Sequence, residues 1–214
     1  MDQITKYRKR VIELSYQHKA NHIKSSMTVV PLLLEARAMG YRTILSKGHA
    51  AFAWYATMDR TPEELELPFH LCDRPSLLSH TTPGVDLTSG SLGHGLGVAV
   101  GMVHVEPQHV AVILGDGECQ EGSVWEAARY LGRRPDLLSF IHVYVDCNGM
   151  SSIDNNLNSR DWIDNMFRAC GVCADCRLTQ TGVSFMNDVL WHYRVMDSVD
   201  YEKAIKELNE NNII

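Results

Sequence analysis

No apolar run in this 214-residue chain approaches the ~18 residues that a membrane-spanning helix requires. Basic residues are in deficit, 20 Lys and Arg against 26 Asp and Glu for a formal charge of −6, which leaves no basic face for nucleic acid or an anionic membrane. Internal repeats and low-complexity linkers are missing as well. The opening Met1-Asp-Gln-Ile-Thr-Lys lacks the apolar core of a signal peptide, so a cytoplasmic location is expected, with the six cysteines as thiols in a reducing compartment. What remains is a chain with 45% hydrophobic residues, enough to bury a core. The expectation is a single domain over 1–214, with a helical arm at 1–40, an α/β core at 41–186 and a tail helix at 187–214.

Helical spacing of Ile4, Tyr7, Val11 and Leu14 predicts an opening amphipathic helix. A second is expected over Thr28–Met39 with Pro31 in its first turn, and Thr61-Pro-Glu-Glu64 reads as a surface helix start. Gly93–Val105 is glycine-rich and poor in intrinsic propensity, so a helix there must pack closely against something. Further helices are expected at Glu121–Leu131, Trp162–Ala169 and Val199–Asn209. Strands alternating with helices imply an α/β fold, a mostly parallel sheet covered on both faces in three layers.

Two of the strands end in chemistry. The apolar run Val110–Leu114 stops at Gly115-Asp116-Gly117, where glycines let the backbone turn sharply and approach a ligand. About thirty residues on, one crossover's length, the run Phe140–Val145 stops at Asp146-Cys147-Asn148-Gly149. Taken singly, each is an ordinary turn. As a pair they put an acid and an amide at neighbouring strand tips, where open α/β sheets bind ligands. Hard divalent cations take oxygen ligands, so Asp116, Asn148 and a loop carbonyl, that of Met150, form the candidate metal set.

The stretch Gly115–Ala128 followed by Val143–Gly149 resembles the thiamine-diphosphate signature of transketolases, in particular the amino-terminal subunits of split bacterial transketolases. Leu45–Ala50, Ser79-His80, Pro83–Gly93, Thr181–Met186 and Trp191-His192 match further landmarks of that family in order. The resemblance implies a three-layer thiamine-diphosphate-binding fold and a transferase using thiamine diphosphate with Mg²⁺ or Ca²⁺ to move a two-carbon ketol or acyl unit. It implies cofactor contacts from His49, Gly90, Leu92, Gly115, Asp116, Gly117, Glu121, Asn148 and His192. Catalytic duties fall by the same resemblance to His22, His49, His80 and Glu121, the last in a carboxylate network joining paired sites. The family's pyrimidine-binding domain is not in this sequence, which implies a partner subunit that carries it, in a dimer of heterodimers.

Some residues depart from the pattern. Lys24 follows His22-Ile23 where small residues are usual, and His94 stands where glutamine is usual. Between Phe167 and Thr181 a strand and a helix of the family have no room, so the sheet is expected to be shortened near its C-terminal end, with an edge to protect. That segment carries Cys170, Cys173 and Cys176, which lack a fourth ligand at iron–sulfur or zinc spacing and read as buried thiols along a short strand. Two other functions stay open: thiamine-dependent transfer of a pyruvate-derived unit to a carrier-bound acceptor, and a non-catalytic subunit that keeps the fold.

Overall fold

The computed structural model describes residues 2–60, 77–150 and 159–210. The helix start at Thr61 lies outside the described residues. In chain order the elements are α1 (Gln3–Gln17), α2 (Ile23–Ala38), β1 (Arg42–Leu45), α3 (Ala51–Thr57), α4 (Gly95–Val105), β2 (Val110–Gly115), α5 (Gly122–Leu131), α6 (Pro135–Leu138), β3 (Ile141–Cys147), α7 (Arg160–Ala169), β4 (Ala174–Leu178) and α8 (Ser198–Glu210). They form two compact units, one of Met1–Leu34, Gly48–Thr88 and Gln180–Ile214, the other of Glu35–Lys47 and Ser89–Thr179.

The first unit is helical. Asp2 caps α1 by accepting from Thr5 N at 3.0 Å, and Val11, Ile12 and Leu14 are buried along it. This helix packs on α3, every residue of which is buried, and on α8, where Tyr16 and Tyr201 stack at 4.7 Å. The second helix corrects the sequence reading, since it begins at Ile23 and Pro31 lies inside it. A proline there deprives the carbonyl four residues back of its donor. Arg8 Nε donates to that carbonyl, Met27 O, at 3.3 Å, so the break is repaired from α1.

The second unit holds a four-stranded, wholly parallel sheet in the order β1-β2-β3-β4, the α/β class expected. Every residue of β2 is buried, as a central strand covered on both faces requires. The glycine-rich helix α4 packs as its composition demands: a Cβ on Gly95 would lie 2.4 Å from Ser46 Cβ. A tighter approach occurs at Gly132, just past α5, where a Cβ would lie 1.8 Å from the Cys170 carbonyl oxygen at the end of α7. Gly132→Ala is therefore expected to cost about 1–3 kcal/mol by overpacking, measured as a lowered urea midpoint.

Between Phe167 and Thr181 there is one strand, β4, and it forms the shortened edge of the sheet. That edge is charged rather than flat and apolar. Arg177 forks onto Glu35 at 2.6 and 2.9 Å and also binds Asp175, while Arg160 Nε engages the Cys176 carbonyl at 3.0 Å. The cysteines of this segment differ from the expected buried row: Cys176 is buried, Cys170 half-buried at the end of α7, and Cys173 exposed. The helix end and strand start between them break the alternation.

Candidate functional site

The strand tips of the second unit come together as the motif spacing implies. Gly115 and Asp146 are register partners on β2 and β3, so Asp116 and Asn148 follow on adjacent tips. Gly149 N donates to Asp116 Oδ2 at 2.7 Å, tying one loop to the other, and Gly117 N donates to Oδ1 at 3.0 Å. Asn148 Oδ1 accepts from Met150 N at 3.0 Å, and its Nδ2 donates to Asp146 Oδ2 at 3.3 Å. The Asp116 carboxyl is pushed up to about 6 from 3.8, mainly by burial; Lys47 opposes this, Asp146 adds to it, and the two backbone amides oppose. A buried carboxylate held at this cost is what a bound cation would stabilise.

Behind the tips lies a second layer of charge that the motif reading did not single out. The Lys47 ammonium, just past β1, binds Asp146 Oδ2, and Thr179 Oγ1 donates to Asp146 Oδ1; Lys47 and Asp146 are both almost wholly buried. Glu118, 1% exposed, collects three donors: Ser46 Oγ at 2.6 Å, Gly93 N at 2.8 Å and Gly115 N at 2.9 Å. Burial raises its pKa, against the pull of those hydrogen bonds. Gly93, at φ +80°, also accepts from Ser123 Oγ at 3.1 Å, and a Cβ there would lie 2.8 Å from Glu121 Cβ. Through Gly93 the loop of Gly90 and Leu92 is thus joined to the turn Gly115–Glu121. Glu121 itself is half-buried at the start of α5 and caps no amide with its side chain.

The signals for the missed residues were faint. Lys47 sits inside the Ser46-Lys47-Gly48-His49 block beside a more conspicuous histidine, and Asp146 is the one acid within an otherwise apolar strand run. Both mark charge at strand ends, which is where a buried ion pair frames a site.

The histidines gather in the first unit. His22, at φ +57°, precedes α2 in a left-handed conformation uncommon outside glycine, and its N–H donates to His192 O at 3.0 Å. The His22 ring centre lies 4.3 Å from that of His192 and 5.1 Å from that of His49, and the His49 and His192 rings are 5.6 Å apart. Three half-buried imidazoles thus form one cluster able to donate or accept protons near neutral pH. His80 is half-buried and ordered by Thr88, whose Oγ1 accepts from its backbone N at 2.9 Å and contacts its ring nitrogen. Lys24 is buried, its ammonium on the Asn187 carbonyl at 2.7 Å. Exposed His94 opens α4, its Nε2 3.5 Å from Ser91 Oγ. Among the described residues no three His, Cys, Asp or Glu side chains are grouped to hold a metal, so a cation at the strand tips would also need amide, carbonyl or ligand oxygens.

No family model matches the chain. It is 28% identical to the A subunit of the apulose-4-phosphate transketolase of Phocaeicola vulgatus, with 97% of this chain and 93% of that protein covered. The alignment extends over 263 positions although the chain has 214 residues, so that relative carries segments absent here. It is 35% identical to the 6-deoxy-6-sulfo-D-fructose transketolase subunit SqwG of a Clostridium species, over 61% of this chain and 51% of that protein. Among solved structures, the transketolase of Campylobacter jejuni superposes with a TM-score of 0.71 at 17% identity, over 98% of this chain and 43% of that one. The chain is thus similar in sequence to subunits of split transketolases and has the transketolase fold.

Proposed function

We propose that this chain, similar along its length to one half of a split transketolase, is the amino-terminal, diphosphate-binding subunit of a two-component transferase of transketolase type that uses thiamine diphosphate and Mg²⁺ or Ca²⁺. The observation that carries the reading is the pair of strand tips, Asp116 and Asn148, tied by the 2.7 Å bond from Gly149 N to Asp116. The donor set fits the group: carboxylate, amide and backbone oxygens are hard ligands suited to such cations. Asp116, Asn148 and the Met150 carbonyl would hold the cation. Bound, the cofactor supplies the electron sink that two-carbon transfer requires.

The chain's own residues then have distinct duties. The buried Lys47 ammonium favours the ionised form of Asp116, and Glu118 fixes the backbone of Gly115 and Gly93. Gly115 N and Gly117 N are already engaged by Glu118 and Asp116, so these glycines serve by close approach and not as donors to phosphate. Gly90 and Leu92 line the cofactor, and Glu121 joins paired sites. His22, His49 and His192, with His80, orient donor hydroxyls and move their protons, as imidazoles do near neutral pH. The free thiols among the described cysteines are in keeping with a cytoplasmic enzyme.

The partner is a subunit carrying the pyrimidine-binding domain, in a dimer of heterodimers. This is supported by the chain's spanning 43% of the Campylobacter transketolase. A second support is an exposed apolar stretch, Val189, Leu190, Tyr193, Val195 and Val199, between 45% and 70% exposed. Leu190→Asp with Tyr193→Asp is expected to weaken assembly with that subunit about a hundredfold, as loss of central apolar anchors does. The variant's own melting temperature should stay close to that of wild type, because both side chains already face solvent. Sedimentation of the mixed chains reads the first and thermal unfolding the second. The function itself is tested by screening the reconstituted pair for two-carbon transfer from ketose phosphates and from pyruvate. Turnover with either donor selects the substrate class, and turnover with neither, despite cofactor binding, contradicts the transferase reading.

A further inference from the structure

We propose that a cavity of about 370 Å³ beside α5, lined by Glu126, Arg129, Tyr130, Arg133 and Arg134, is a binding site for a small phosphate monoester. Three guanidiniums within six residues are conspicuous in a chain of net charge −6. They play different parts. Arg134 is committed to structure: its Nε and Nη2 bind Asp136 at 2.9 and 2.6 Å, and its Nη1 donates to the Tyr130 hydroxyl at 2.8 Å. Its guanidinium lies 5.7 Å from the Tyr130 ring centre, so one wall of the cavity is fixed by a bound arginine and an aromatic plate.

Arg129 and Arg133 make no side-chain hydrogen bond or ion pair among the described residues. They stand one helical turn apart, the spacing at which like charges repel. An anion placed between them relieves that repulsion. The planar fork of arginine suits the oxygens of phosphate, taken two at a time. Glu126 lines the same cavity and offsets one positive charge, so the site favours a compact dianion over a singly charged carboxylate. The volume lies at the lower end of small-molecule sites, with room for a short carbon chain against Tyr130. None of these residues belongs to the strand-tip constellation, and the inference does not depend on the function proposed above.

The test is titration of the full chain, free of divalent cations, with inorganic phosphate and then glycerol 3-phosphate, ionic strength held constant with chloride and binding read by calorimetry. Saturable binding is expected, at least as tight for the ester as for inorganic phosphate. Arg129→Gln with Arg133→Gln should weaken it about tenfold, and Arg129→Lys with Arg133→Lys, which keeps the charge but loses the fork, should fall in between. Circular dichroism confirms that the variants fold. Binding that survives the double glutamine variant undiminished belongs elsewhere in the chain and overturns the proposal, as does no saturable binding by wild type.

Discussion

Lys47→Met is expected to destabilise the protein by roughly 3–5 kcal/mol, the cost of leaving one charge of a buried pair without its partner. The ammonium and the Asp146 carboxylate are both withdrawn from solvent, and Asp146 keeps its Thr179 and Asn148 contacts but loses its cation. The same change should reach the metal set. Lys47 opposes the upward shift of Asp116, so without it Asp116 moves above about 6 and a larger fraction is protonated at neutral pH. Urea unfolding of Lys47→Met and of Lys47→Met with Asp146→Leu separates the terms. The double variant should recover most of the stability, because an apolar pair carries no uncompensated charge. A single variant that loses less than about 1 kcal/mol would show that the pair is hydrated, contrary to this account.

Glu118→Ala should cost on the order of 4 kcal/mol, since it strands the Ser46 hydroxyl and the Gly93 and Gly115 amides in a buried place, each worth ~1–3 kcal/mol when unpaired. Part of that is offset by the carboxylate's own cost of burial, which already raises its pKa. Glu118→Gln keeps the shape but must turn its NH₂ toward one of the donors, so it should fall between wild type and alanine. Amide exchange at Gly93 and Gly115 gives a local reading. Both should open in Glu118→Ala, while Val143 in the middle of β3 changes only with global stability. Unchanged protection of the two glycine amides would mean that water, not Glu118, satisfies them.

The sheet was legible wherever strands were long and apolar. β2 and β3 stand within a residue or two of the expected runs, because buried parallel strands carry an unbroken hydrophobic signal. β1, Arg42–Leu45, is four residues long and too short for periodicity to declare. The start of α2 was masked by Pro31, whose usual place is a first turn, and only the Arg8 contact reveals how the helix tolerates it. Asp116 and Asn148 were visible because glycines punctuate them. Lys47, Glu118 and Asp146 were not, because a buried charge is recognised only from its partner, and those partners lie 72 and 99 residues away in sequence. The clustering of His22, His49 and His192 likewise depends on chain segments far apart in sequence.

The central claim is that Asp116 and Asn148 hold a cation and a diphosphate. Calorimetric titration of thiamine diphosphate with Mg²⁺ into this chain, alone and mixed with its partner subunit, tests it most directly when repeated with Asp116→Ala. Binding that strengthens with the partner and falls at least about a hundredfold in the variant is predicted, since the cation loses its charged ligand. Equal binding by wild type and Asp116→Ala, or no binding in any mixture, would contradict the assignment.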